Sequence, residues 1–528
     1  MLNGYDSSLI YNFFGNKMFF LREKEAVFDY DEKRHYTFGE LKQRSDCVGT
    51  YLRDKMGLKA GDRIGICCCN REEFFDLFMV AYKNGFILTT YNGKLKDWEL
   101  AALIDNETPA ALFTGVGYYD SVNDAYKLLK QAKPVLVDFD SEGGYGLRYE
   151  ELLQTEAREA EFLPNPEDIL MLIHTGGTTG LPKAAMLSYR SIVCNAISTS
   201  STHNLTPNDS TYLMLPLFHT AAWNSVSLGV LFSGGRIILK RKFNSDDAFD
   251  IIENEKPTFL LGVPTIYHSM MQNDRFKTAD FSSVRALRCG AAPLPPALFH
   301  AYDDRGLQIC NAYGLTECGP SNFSFPMNLI TPEMLRKKVG SVGVPMYFNR
   351  VKVVNEQGRE LPAGSKGELW FSGCLGFSGY WNHPEETQKV RRGDWVATGD
   401  IAYRDEDGFY YIVGRKKRMF ISGGENIYPV EIENIIMECS EVVDCAVTGV
   451  EDPRWGEVGL AFVQMEPGTP FDEEKLHAYL SSRLSTIKCP RHILPIEKVP
   501  RNTTGKLLIG ELEKLAKHWN EGKEQTNE

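Results

Sequence analysis

A chain of 528 residues, 43% of them hydrophobic, is long enough for two or more domains, each with its own core. A formal net charge of -12 argues against non-specific nucleic-acid binding, so basic residues that act must act locally. The twelve cysteines include the run Cys67-Cys68-Cys69 but no CxxC pair and no Cys/His cluster with zinc spacing; reduced thiols in a cytoplasmic protein are expected.

In chain order, the first twenty residues have acidic and polar breaks, and no later segment reaches spanning length, so neither a signal peptide nor a transmembrane segment is expected. From Asp62 an apolar strand holding the cysteine run leads to a helical stretch with Phe74, Leu77, Phe78, Ala81 and Tyr82 on one face. Gly85 and a second strand over 86–91 complete a βαβ unit. Similar alternation through 135–139, 258–263 and 284–289 predicts an α/β fold of stacked, mainly parallel sheets.

Within this region residues 174–185 form a loop of glycines and hydroxyls, Thr175-Gly176-Gly177-Thr178-Thr179-Gly180, ending at Lys183 and flanked by apolar strands. Glycines let successive backbone N–H groups converge on one anion, threonine hydroxyls add donors, and the lysine adds charge. No Ser or Thr follows Lys183 to hold magnesium, so this is not the loop of a P-loop NTPase. A ligand-free glycine-rich hairpin is the bland alternative.

After Gly340 short β runs at 351–354, 367–371 and 409–413, parted by Gly, Asp and Asn turns, predict an antiparallel, barrel-like subdomain. Past Gly414-Arg415-Lys416-Lys417-Arg418 a small α+β domain is expected: a helix over 430–437, strands over 442–450 and 460–465, a helix over 473–484 and a strand near Ile493. The tail from Lys517 is charged and expected to fray. The boundary falls between residues 416 and 417, giving domains 1–416 and 417–528.

Downstream of the loop come Leu215-Pro216-Leu217-Phe218-His219, Gly290-Ala291-Ala292-Pro293-Leu294, Tyr313-Gly314-Leu315-Thr316-Glu317, Thr398-Gly399-Asp400, Gly414-Arg415 and Arg501-Asn502-Thr503-Thr504-Gly505-Lys506. In this order they resemble the acyl-adenylate-forming superfamily: acyl-CoA synthetases, aryl-CoA ligases, peptide-synthetase adenylation domains and beetle luciferases. The resemblance runs from Thr37 to Lys506 and implies a large nucleotide- and acyl-binding domain with a small mobile domain. It also implies a two-step reaction in which a carboxylate attacks ATP to give acyl-AMP and pyrophosphate, and a thiol then displaces AMP.

The resemblance assigns the loop from Thr175 to Lys183 to the β and γ phosphates, Glu317 to magnesium, Thr316 to the α-phosphate and Lys506 to the carboxylate and α-phosphate oxygens. Asp400 would bind both ribose hydroxyls, and Arg415 would assist. Gly290 to Pro293, Asn311, Ala312, Tyr313, Gly314 and Ile412 complete the nucleotide set. Lys417 is the hinge, and Ser422, Gly423, Gly424 and Glu425 would receive the pantetheine arm of coenzyme A. His219, Thr220, Trp223, Gly290, Cys318 and Gly319 would line the acyl pocket. An imidazole at 219 lacks the fixed negative charge that would pair with an α-ammonium, which disfavours amino acids.

The sequence departs from the family pattern at Gly176, Ala184, Tyr189, Arg418 and Ile509, where serine, glycine, histidine, an acid and arginine are usual; the last two bear on the contact between domains. The expected substrates are ATP, coenzyme A and a carboxylic acid, a medium- to long-chain fatty acid first and an aryl acid as the alternative. A homodimer stands as a further expectation. A carrier protein replaces coenzyme A if the chain is a stand-alone adenylation enzyme.

Overall fold

A computed structural model describes residues 20–176, 181–327, 330–439, 441–501 and 505–524. Gly177, Thr178, Thr179 and Gly180 of the loop, and Asn502, Thr503 and Thr504 before Lys506, lie outside the described residues.

The βαβ unit runs Arg63–Cys67, Glu73–Asn84, Ile87–Thr90, and the helix ends at Gly85, whose φ of 72° is the left-handed cap that a side chain disfavours. It belongs to an eight-stranded sheet whose central strands are parallel. At one edge Ile169–Thr175 and Lys183–Ser188 pair antiparallel, and Gly379–Tyr380 adds a last strand to Lys183–Ser188. A seven-stranded sheet runs Ile309–Asn311, Ala286–Cys289, Phe259–Gly262, Ser210–Leu213, Arg236–Leu239, Glu25–Asp29, Arg34–Thr37, parallel except for its last hairpin. Helix Glu73–Asn84 is buried at every position and shares one core with residues of both sheets. It therefore forms an inner layer, and burying each of its phenylalanines contributes about 1.5–3 kcal/mol.

The subdomain expected after Gly340 is a five-stranded antiparallel sheet that carries Asp400 on Trp395–Arg404 and Arg415 on Tyr410–Arg415. From Phe420 onward the core clusters are separate from those of the preceding chain. Here the long hairpin Val442–Asp452 and Gly456–Met465 is joined by the parallel strand His492–Pro495 and packed by helices Pro429–Ile436 and Glu473–Ser481.

The tail differs from expectation. Helix Ile509–Glu524 continues past Lys517, because Leu512, Ala516 and Trp519 form a stripe that packs on Val450, Val458 and Phe462. All twelve cysteines are free thiols, with Cys67 and Cys68 buried in their strand. Among the described residues no helix is long and apolar enough to cross a membrane.

Candidate active site

The glycine-threonine loop joins two antiparallel strands, entering at Thr175 and Gly176 and leaving at Lys183. His174, just before it, hydrogen-bonds through Nδ1 to the Thr90 carbonyl at 3.0 Å and through Nε2 to Glu107 Oε1 at 2.7 Å. Burial pulls the basicity of this ring down, but Glu107 and the Thr90 carbonyl push its pKa above the ordinary imidazole value. A buried hydrogen-bonded pair, His174 with Glu107, thus braces the root of the loop. At the other end Lys183 pairs with Glu386 and lies 5.4 Å from the Tyr380 ring centroid.

Tyr380 links the loop to the next cluster. Its backbone pairs with Ala185, and its hydroxyl donates to Glu317 Oε1 at 2.7 Å. Thr316–Cys318 is a single 3-10 turn, anchored by the Phe377 N–H donating to the Glu317 carbonyl at 3.1 Å. Among the described residues no three metal-ligating side chains cluster. A magnesium ion carried by a triphosphate needs only one or two carboxylates, a demand that Glu317 fits.

Gly290 to Pro293 and Asn311 to Gly314 follow the C-terminal ends of two neighbouring parallel strands, the place where open α/β sheets bind ligands. Asn311 ties them together, accepting from the Leu294 N–H at 2.8 Å and donating to the Ser341 carbonyl at 3.2 Å. Ala291 holds a strained φ of 65°. A Cβ on Gly314 would stand 1.6 Å from the Pro320 carbonyl oxygen, so only glycine fits there. Opposite them, Asp400 and Arg415 are direct partners in the ladder and form an ion pair at 2.6 Å, and the Tyr313 hydroxyl donates to the other Asp400 oxygen. Burial raises the Asp400 pKa, against the pull of Arg415 and Tyr313. Ile412 lies half-buried on the Arg415 strand.

Lys506 comes to this cluster from the small domain. Surrounding protein lowers its pKa and Arg415 lowers it further, whereas Glu317 and Asp400 raise it. Solvent still reaches the side chain, as it does in an open cleft. Burial and then Lys506 depress His219, expected in the acyl pocket, to a pKa of about 4, leaving its ring neutral at physiological pH. His219 caps a helical run through Thr220, and Trp223 beneath it is fully buried, 5.4 Å from the rings of both Phe75 and Phe78. Cys318 and Gly319 are buried, and a Cβ on Gly319 would meet the Leu375 carbonyl oxygen at 2.5 Å.

The expected coenzyme A segment is a hairpin: Ser422 is buried, while Gly423, Gly424 and Glu425 are exposed. A Cβ on Gly423 would meet the Trp455 ring at 2.8 Å, whereas Gly424 faces open space. Lys417 is the middle residue of a 3-10 turn, Lys416–Arg418. Two of the family departures find local partners, Tyr189 donating to the Tyr82 carbonyl at 2.9 Å inside the core and Arg418 pairing with Glu433 within the small domain.

Residues 20–381 match the family described as AMP-binding enzyme, and residues 431–506 match the AMP-binding enzyme C-terminal domain. The chain belongs to this family. A feruloyl-CoA synthase from an Amycolatopsis species is 34% identical over 478 residues, covering 90% of this chain and 93% of that protein. A long-chain-fatty-acid–CoA ligase of Mycobacterium tuberculosis is 32% identical over 454 residues, 86% of this chain and 88% of that one. The ATP-bound crystal structure of MatB from Rhodopseudomonas palustris, 28% identical, superposes with a TM-score of 0.86 over 96% of this chain and 98% of that chain; its apo form gives 0.78.

Glu107, Tyr380 and Glu386 were not signalled by any motif. Each is a long-range partner of a residue that was.

Proposed function

We propose that this protein is an ATP- and magnesium-dependent acid:CoA ligase that forms an acyl-AMP and then an acyl thioester, releasing pyrophosphate and AMP. The observation that carries the reading is the convergence of Lys506, from one domain, with Asp400, Arg415 and Glu317 of the other. Both reactants are anionic, so the first step depends on charge placed in advance around the α-phosphate. Lys506 supplies it at the carboxylate and α-phosphate oxygens, and Thr316 contacts the same phosphate. The loop ending at Lys183 holds the departing pyrophosphate. Asp400, already fixed by Tyr313 and Arg415, keeps lone pairs on both oxygens for the ribose hydroxyls. Magnesium, held by Glu317 and the phosphates, offsets charge on the leaving group.

Neutral His219 faces the acid, and residues 417–528 swing about Lys417 to exchange Lys506 for the Ser422 to Glu425 hairpin. The acid is a compact aryl acid in preference to a long aliphatic chain. The 34% identity to a feruloyl-CoA synthase, against 32% to a long-chain-fatty-acid–CoA ligase, supports that choice. Incubation with ATP, CoA and a panel of fatty and aryl acids should release AMP, with aryl acids fastest; ADP, or no product from any acid, would refute the ligase reading. Lys506→Ala should lose about 3 kcal/mol of transition-state stabilisation in pyrophosphate exchange while still binding ATP.

A further inference from the structure

We propose that Cys194 and Cys374 are a redox modification site: a low-molecular-weight disulfide oxidises them to a reversible protein disulfide that displaces the Glu317 turn. The site stands independently of the reaction, and only its effect on activity rests on the ligase reading.

Cys194 lies on helix Tyr189–Thr202, and Cys374 directly follows strand Gly367–Gly373. Two side chains of the helix clasp the segment that begins at Cys374. Arg190 donates from Nη1 to the Cys374 carbonyl, and the Ser191 hydroxyl donates to the Leu375 carbonyl at 2.6 Å. Cys194 stands four and three residues further along, on the same face of the helix, which brings its thiol beside Cys374. The contact is direct, the Cys194 thiol donating a hydrogen bond to the Cys374 sulfur. Both are free thiols and partly exposed, whereas Cys67, Cys289 and Cys310 are buried within their strands.

The hydrogen bond from Cys194, aided by the Arg190 guanidinium and against the effect of burial, pulls the Cys374 thiol down to a pKa of about 7. Burial pushes the three strand cysteines the other way. A partly exposed thiolate beside a cation is the attacking group of thiol–disulfide exchange. The Cys374 thiolate attacks one sulfur of the small disulfide and expels the other half as a thiolate. Cys194, giving up its proton, attacks the Cys374 sulfur of that mixed disulfide and expels the second half. The protein loses two thiol protons and two electrons, and the small disulfide takes them up as two thiols.

Bonding draws the sulfurs closer than a hydrogen bond holds them, so the segment from Cys374 moves toward the helix. Its far end holds the site. The Phe377 N–H donates to the Glu317 carbonyl at 3.1 Å, and the Ser378 N–H to the Met186 carbonyl at 2.8 Å. A shift of this strap therefore reaches the Glu317 turn and the strand Lys183–Ser188 together.

The full chain, reduced and then incubated with excess oxidised glutathione, should give a peptide pair joined at Cys194 and Cys374 in a non-reducing peptide map. Pyrophosphate exchange with the acid that turns over fastest should fall about tenfold and recover with dithiothreitol. Cys194→Ser, which lacks the second thiol, should exchange at the rate of the reduced wild type before treatment and accumulate a glutathione adduct on Cys374 after it. Cys374→Ser should show neither joined peptide nor loss of exchange. Absence of the joined peptide in the wild type overturns the modification site. A joined peptide with an unchanged exchange rate overturns its hold on the Glu317 turn, and an equal loss in Cys374→Ser traces the loss to another thiol and overturns it too. No exchange from the reduced protein with any acid overturns the ligase reading instead, while the peptide map still decides the disulfide. The map needs no variant, so it stands even where a serine variant fails to fold.

Discussion

A phosphate proposed to sit at Lys183 would have to share its ammonium with Glu386, whose carboxyl Lys183 and Lys389 hold down at a pKa of about 2. Glu386→Gln should free that charge and lower the KM for ATP several-fold; a raised KM would mean that Glu386 positions the lysine. Motif spacing named Lys183, Glu317 and Asp400 because loop and turn chemistry is local. Glu386, Tyr380 and Glu107 sit far away in the chain, at no fixed distance from the motifs, so nothing in the sequence tied them to the site. Glu107 carries a second expectation. The folded protein holds the His174 proton more tightly than the unfolded chain does, so the pair's contribution is complete below roughly pH 6.5 and is lost as pH rises through the raised native value. Melting temperature should fall from about pH 6 to about pH 9 more steeply in the wild type than in Glu107→Gln, which itself should lose about 3 kcal/mol. Parallel slopes would remove the pair from the account.

Among the elements, the turn at Gly314 is the most tightly specified. Its neighbour is backbone, the Pro320 carbonyl, which cannot rotate away as a side chain could. Gly314→Ala should displace the Thr316 to Cys318 turn and cut ATP affinity at least tenfold, read by isothermal titration; unchanged affinity would mean that the turn relaxes without cost. The βαβ unit and the small-domain strands were legible because their apolar periods match their folded state. The C-terminal helix was masked by its charge, although Leu512, Ala516 and Trp519 repeat at four and three positions. The π-helix at Trp223–Ser227 could not be read at all, since an apolar helical period gives no warning of a widened turn.

At the scale of the molecule, the polar contacts between the domains include Lys366 with Glu431 and Glu466 with Gln272 and His268. Such surface pairs are worth little each, and a weakly held domain suits a swing about Lys417. Lys417→Pro, which fixes φ, should leave pyrophosphate exchange near the wild-type rate and abolish thioester formation from pre-formed acyl-AMP. Equal loss of both steps would refute a hinge there.

The strand Gly379–Tyr380 gives the architecture a consequence for how the protein is made. The hairpin that carries the glycine-threonine loop leaves the ribosome long before the strand that completes its sheet edge and, through the Tyr380 hydroxyl, fastens Glu317. Until then that edge is open to pairing with other chains, so a nascent chain stalled in the 300s should be the species most in need of a chaperone.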